Sequence, residues 1–392
     1  MNARFHEQLA ESVDAMRSGG TLKSFRFLQT PMDAWTKMEG RGEILVMSSN
    51  NYLGLAADPR VVEAGRQALA RYGAGTASVR FICGTFEIHR ELEQAIAAFF
   101  GTERALTYVS CWAANTGLIP TIAAPEDVVL ADELNHASLI DGCRLASKTP
   151  RAIYRHSDMG HLDELLREHS AARRRLIVTD GVFSMEGDLA RLDDLAELAR
   201  KHDAVTIVDD SHGTGVAGPT GKGTAEHFGV QAEIDIFTST LGKALGGAAG
   251  GFVASSAAVI GMLEQASRPQ IFSNALPPTV SASSLAALRI LRDEPQRVAA
   301  LQEKTAYARE LLGSRGYDVK AHPSAIIPIM IGDTAKAIAI SARLLDKGVF
   351  ITGFGYPVVP EGTARLRVQA SYAHQKPDFD LFVERLDEVM RG

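Results

Sequence analysis

The chain has 392 residues, 46% of them hydrophobic and 22% charged, which excludes a disordered chain and, at about 100–200 residues per domain, leaves room for two domains. Forty-one Lys and Arg against 47 Asp and Glu give a net charge of −6, which argues against a broad electrostatic grip on nucleic acid. Three scattered cysteines (Cys83, Cys111, Cys143) make neither a disulfide framework nor a CxxC metal spacing, and a reducing compartment suits them. No run approaches the ~18 apolar residues of a membrane helix, and the N-terminus lacks the apolar core of a signal peptide. The expectation is a cytoplasmic protein with no membrane partner.

The first residues predict a helix ending at Gly19-Gly20, then an irregular arm and a strand at 43–48. Asp58-Pro59 caps and starts a helix with Val61, Gly65, Ala68, Leu69 and Tyr72 on one face. Residues 73–85, rich in Gly, Ser and Thr, read as a loop, followed by a helix to Gly101. Strand-like runs at 104–109, 127–131, 151–154, 176–180, 205–209, 234–239 and 251–254 then alternate with helices, including 161–169 and 192–201. Most of these strands are near-continuous apolar runs, as in sheets covered on both faces, and the alternation implies parallel βαβ units. Pro277-Pro278 opens a helical stretch to about Gly313. Strands at 326–331, 349–352 and 364–369 with helices at 334–347 and 377–390 then form a smaller α+β unit. The expected division is a helix and arm at 1–48, a large α/β domain at 49–285 and a C-terminal α+β domain at 286–392.

In open α/β sheets the ligand crevice lies beyond the carboxyl ends of the strands, so the residues there are the candidates. The run at 205–209 ends in Asp209-Asp210-Ser211-His212, which delivers an acceptor and a proton carrier, although a solvated turn would also use Asp-Asp-Ser. The run at 234–239 leads to Thr240-Leu241-Gly242-Lys243, a lysine flanked by glycines that a ligand can approach closely. A nucleotide phosphate loop does not fit, because Gly242-Lys243 lacks the upstream glycine and is followed by Ala. Ser110-Cys111-Trp112 opens a helix and offers backbone N–H groups and a hydroxyl to an anion; Trp112 could equally be core. His136 follows another strand and can lie flat on a planar ring, and Ser184 sits in a further turn. Arg365 and Arg367 share one strand face, where one could grip a carboxylate or both could be surface charges. No metal site competes, since the histidines lack ligand spacing. A lysine, an aspartate, two histidines, an anion-binding turn and an arginine at one edge are what pyridoxal 5′-phosphate (PLP) demands.

Ser49-Asn50-Asn51-Tyr52-Leu53-Gly54-Leu55, Gly84-Thr85, Asn135-His136-Ala137-Ser138, Asp209–His212 and Thr240–Lys243 together resemble the α-oxoamine synthases. These are fold-type I PLP-dependent transferases (aspartate aminotransferase-like: a mostly parallel sheet domain plus a smaller α+β domain). Ala77–Thr85, Thr179–Met185, Arg268-Pro269, Phe272–Asn274 and Tyr356–Pro360 are most similar to the glycine C-acetyltransferase branch. The resemblance implies condensation of an amino acid, glycine foremost, with acyl-CoA, acetyl-CoA foremost, giving a 2-amino-3-oxo acid. The alternative is a decarboxylating synthase that uses alanine, serine or glutamate.

The same resemblance implies that Lys243 carries PLP and shuttles a proton, and that Asp209 holds the pyridine nitrogen. It assigns His212 and Ser184 to the ring hydroxyl and His136 to the ring face. The phosphate would meet Ser110, Cys111, Trp112 and Thr240, with Ser273 and Asn274 from a neighbouring subunit of a homodimer. Asn50 and Arg367 would bind the substrate carboxylate, and Val79 and Phe81, being apolar, would disfavour a charged acyl tail. Trp112 stands where the family has phenylalanine. Gly355 and Ala370 are smaller than their acetyltransferase counterparts and would admit a larger amino acid if they line the pocket.

Overall fold

The computed structural model describes residues 2–22 and 24–391. A helix at Ala3–Ser18 begins on the Asn2 cap and has no buried residue. Strands β1 (Trp35–Met38) and β2 (Gly42–Val46) form an antiparallel hairpin. Helices at Pro59–Tyr72 and Glu87–Phe100 then precede the main sheet, the first capped by Asp58 with proline in its first turn.

The main sheet contains β3 (Arg104–Tyr108), β4 (Val128–Asp132), β5 (Arg151–Tyr154), β6 (Arg175–Asp180), β7 (Val205–Asp209), β8 (Ile236–Thr240) and β9 (Gly251–Ser255). Their order is β3-β9-β8-β7-β6-β4-β5. The expected parallel architecture holds except at β9, which runs antiparallel to both neighbours. Only the short segment 241–250 separates β8 from β9, too little for a crossover helix, so the chain turns back beside itself. All the other strands end on one edge, and β9 starts there. A Cβ on Gly251 would lie 2.3 Å from the Cys111 nitrogen, so glycine is what lets β9 enter beside the helix start. Val129, Ile177, Val178, Ile207 and Val208 are fully enclosed, which explains the unbroken apolar runs.

Strands β10 (Ile326–Gly332), β11 (Val349–Phe350), β12 (Gly353–Phe354) and β13 (Ala364–Gln369) belong to the C-terminal part, with helices at Thr334–Asp346 and Lys376–Arg391. β10, β13 and β12 form one small sheet, while β11 pairs with β2. The N-terminal hairpin therefore shares a sheet with the C-terminal part. The boundary expected between 285 and 286 falls inside the continuous helix Pro278–Asp293. The helical stretch expected to run unbroken to Gly313 is two helices, Pro278–Asp293 and Gln296–Ser314, parted at Glu294-Pro295 because proline has no N–H to continue the ladder. Helices at Ala137–Leu145, Ala257–Ala266 and Arg268–Phe272 had no distinct periodic signal. Among the described residues, no helix is long and apolar enough to cross a membrane.

Candidate active site

The site gathers on the edge where the parallel strands end. β7 delivers Asp209, buried, and its carboxylate accepts from Asn115 Nδ2 at 2.6 Å, Ser211 Oγ at 2.5 Å and Ser211 N at 3.0 Å. Cys111 Sγ lies 3.7 Å from each oxygen. Asp209 is therefore a buried, hydrogen-bonded acceptor and not part of a solvated turn. β8 leads directly to Lys243. Burial holds its ammonium below the ordinary lysine range, while Asp209, Cys111 and Asp180 oppose that shift and Arg367 adds to it. No hydrogen bond or ion pair to a described residue engages its Nζ, so only charge attraction at a distance offsets its desolvation.

The helix Cys111–Ile122 begins at the same edge. Ser110 Oγ caps it by accepting from Ala113 N at 3.0 Å, so its lone pair serves the helix while its O–H stays available. The backbone N–H groups of Cys111 and Trp112, at the helix start, have no intrahelical partner. Thr240 Oγ1 accepts from Gly242 N and donates to the Gly250 carbonyl. Trp112 is 45% exposed, so it is not core; its ring meets His136 edge-on at 6.1 Å. His136 caps the next helix, and its Nδ1 accepts from Ser138 Oγ at 2.8 Å and Ser138 N at 3.2 Å. Its own backbone N–H donates to Asp180 Oδ2 at 2.5 Å. Burial lowers the His136 imidazole, Lys243 lowers it further and Asp209 pulls the other way.

The remaining candidates arrive from the C-terminal strand. β13 is docked on the 47–52 segment by Gln369 N to the Met47 carbonyl at 2.8 Å, and Tyr372 N bonds the Tyr52 carbonyl at 2.7 Å. The two arginines share a face, as the alternation requires, but differ in partners. Arg365 pairs with Glu186 at 3.0 Å. Arg367 donates to the Ser184 carbonyl at 2.9 Å and to Gln369 Oε1 at 3.2 Å, lies 4.6 Å over the Phe354 ring and meets no described carboxylate. Its Nε is sealed from solvent without a partner. With Arg365 buried and Arg367 half-buried, the surface-charge alternative falls.

His212 Nδ1 lies 2.7 Å from the Tyr52 hydroxyl, and Gln369 Nε2 reaches both Tyr52 Oη and Asn50 Oδ1. Burial drives the His212 imidazole well below its usual range, with Lys243 and Arg367 adding to the effect. Burial pushes the Tyr52 phenol up to about 12. Val79, Ser273 and Asn274 stand apart from this cluster. Val79 bridges Asn274, and among the described residues no hydrogen bond joins either to Lys243 within one chain.

Asp180, Asn115, Tyr52 and Gln369 were not singled out from the sequence as site residues. An acidic residue closing the apolar run of β6 was the one available signal, for Asp180. Gly355 and Ala370, considered as pocket-opening positions, are packed otherwise. A Cβ on Gly355 would meet Thr334 at 2.4 Å, and Ala370 is fully buried in the core.

A family model described as aminotransferase class I and II matches residues 42–386. The mitochondrial 2-amino-3-ketobutyrate coenzyme A ligase of Mus musculus is 44% identical over 99% of this chain and 95% of its own. The 8-amino-7-oxononanoate synthase of Symbiobacterium thermophilum is also 44% identical, over 95% of this chain and 94% of that protein. A solved structure of SPT with PLP superposes with a TM-score of 0.93 at 30% identity, covering 99% of this chain and 98% of that one. The chain belongs to the aminotransferase class I and II family and, within it, to the α-oxoamine synthases.

Proposed function

We propose that this chain is a PLP-dependent C-acyltransferase that condenses an amino acid with an acyl-CoA to release CoA and a 2-amino-3-oxo acid. Glycine and acetyl-CoA are the favoured pair, as the name of the murine relative suggests. The observation that carries the reading is Lys243, a half-buried amine with no hydrogen-bond or ion-pair partner among the described residues, near the hydrogen-bonded Asp209 carboxylate. A desolvated lysine without a bonding partner is costly, and its depressed pKa suits covalent attachment to a carbonyl.

The rest of the edge fits the same group. Asp209 would hold the pyridine nitrogen, His136 the ring face, and His212 and Ser184 the ring hydroxyl. The free amides of Cys111 and Trp112, the Ser110 O–H and Thr240 would hold the phosphate, a helix N-terminus being a ready anion site. Bound PLP supplies an electron sink for the charge left when a Cα proton departs. Lys243, its ammonium held below the ordinary lysine range by desolvation, takes that proton and returns it. Arg367 and Asn50 hold the amino-acid carboxylate, and Asp209, held in place by hydrogen bonds from Asn115 and Ser211, would keep the ring cationic.

A homodimer with shared sites is part of the reading. Phe5, Leu9, Val13 and Met16 are exposed along one stripe of the N-terminal helix, and Phe81, Ile82 and Phe272 are exposed beside Val79 and Asn274. Apolar surface of this extent calls for a partner, and a second copy would bring its Val79, Ser273 and Asn274 to the first site. We assign the reaction to the cytoplasm, where the three unpaired cysteines stay reduced.

A second reading, a decarboxylating synthase with a larger amino acid, is favoured by the equal identity to the 8-amino-7-oxononanoate synthase. The packing of Gly355 and Ala370 removes the size argument for it. Purified protein incubated with acetyl-CoA and each amino acid in turn, with free thiol followed, separates the two. Release of CoA with glycine supports the first reading; release only with alanine, serine or glutamate establishes the second. Lys243→Ala should abolish turnover and the borohydride-sensitive yellow absorbance, and retention of either refutes the assignment of Lys243.

A further inference from the structure

The chain of hydrogen bonds behind His212 has a forced direction. Arg367 has only donors, so the Gln369 atom 3.2 Å from its Nη2 must be the amide oxygen. The Gln369 nitrogen then donates to Asn50 Oδ1 at 2.6 Å and to Tyr52 Oη at 2.8 Å. Tyr52 is fully buried, and its single proton has one acceptor left, His212 Nδ1 at 2.7 Å. Were His212 instead to donate from Nδ1, the tyrosine proton would be buried without a partner. A doubly protonated imidazole would face Lys243, Arg367 and His136 in an enclosed site.

Resting on the functional reading above, we propose that Gln369 is a positioning residue. Its amide, oriented by Arg367, turns the Tyr52 hydroxyl toward His212 Nδ1 and fixes His212 as the Nε2–H tautomer. The arginine that anchors the substrate carboxylate and the histidine that faces the cofactor are thereby parts of one buried network. An amino acid that draws on Arg367 acts on the same guanidinium that orients Gln369. His212 keeps Nε2 as a donor for the cofactor's ring hydroxyl, which a histidine of the opposite tautomer could only meet as an acceptor.

The test is ¹⁵N–¹H correlation of the histidine rings in deuterated protein, with His212 assigned by its loss in His212→Asn. It is recorded with and without PLP, so that a failure to take up PLP, which defeats the functional reading, is seen apart from a wrong tautomer, which defeats this proposal. Wild-type protein should show an unprotonated Nδ1 and a protonated Nε2. Gln369→Glu keeps the acceptor for Arg367 but replaces the donor with a second acceptor, so the Tyr52 proton turns away and His212 switches to Nδ1–H. Tyr52→Phe, which preserves shape, should leave His212 a mixture of tautomers.

In the same Gln369→Glu protein kcat should fall by about tenfold, the scale of one lost buried hydrogen bond, with KM for acyl-CoA unchanged. A wild-type Nδ1–H signal, or an unchanged His212 spectrum in both variants, overturns the proposal.

Discussion

His156 should make stability depend on pH in an alkaline window where most proteins change little. Its Nδ1 lies 3.0 Å from the buried Asp132 carboxylate and its Nε2 2.8 Å from Asp188, with the ring edge-on to Phe183 at 4.4 Å. Burial opposes protonation, but the two carboxylates outweigh it and push the imidazole up to about 10 from 6.5. At about 1.4 kcal/mol per unit the rise corresponds to about 4–5 kcal/mol. One-fifth of the side chain is exposed, and screening reduces this to about 2–3 kcal/mol. Because the folded-state value lies above the unfolded one, the stabilisation is complete below about pH 6.5 and disappears as pH rises toward about 10.

His156→Gln should therefore lower Tm by several degrees at pH 6, and the gap from wild type should close by pH 10. Thermal denaturation at fixed protein and PLP concentrations measures it, since both shift the midpoint. A gap that stays constant or widens with pH would refute the reasoning. The same variant should raise KM for the amino acid, because His156 anchors the turn whose Ser184 carbonyl accepts from Arg367.

Arg367→Met should raise KM for the amino acid at least tenfold, the scale of a lost charge-assisted carboxylate contact, and leave KM for acyl-CoA unchanged. Steady-state kinetics with each substrate varied decides it; equal loss for both substrates would remove Arg367 from the carboxylate role. Gly355→Ala should cost about 1–3 kcal/mol by overpacking against Thr334, read as a lower Tm. Its amino-acid preference should match wild type in the CoA-release assay, and a shift toward or away from larger amino acids would return Gly355 to the pocket.

The sheet, its strand limits to within a residue or two, and the edge that carries the chemistry were legible in the chain. Buried parallel strands announce themselves as apolar runs, and the residues just past each run must lie at the carboxyl edge. Asp209, Lys243, His136 and the Ser110–Trp112 helix start were found that way because each is local to its strand. The reversal of β9 was not, because strand direction depends on connection length and on close approach at Gly251, not on apolar pattern.

Partnership was also undecided. Arg365 and Arg367 are equivalent in sequence, two residues apart on one face, and only the fold gives Glu186 to the first and no carboxylate partner among the described residues to the second. Tyr52 and Gln369 stand 317 residues apart and meet in one hydrogen bond. Local pattern fixes which residues reach the edge, since backbone periodicity acts over a few positions. Which of them are neutralised by other side chains is decided by long-range packing that brings the ends of the chain together.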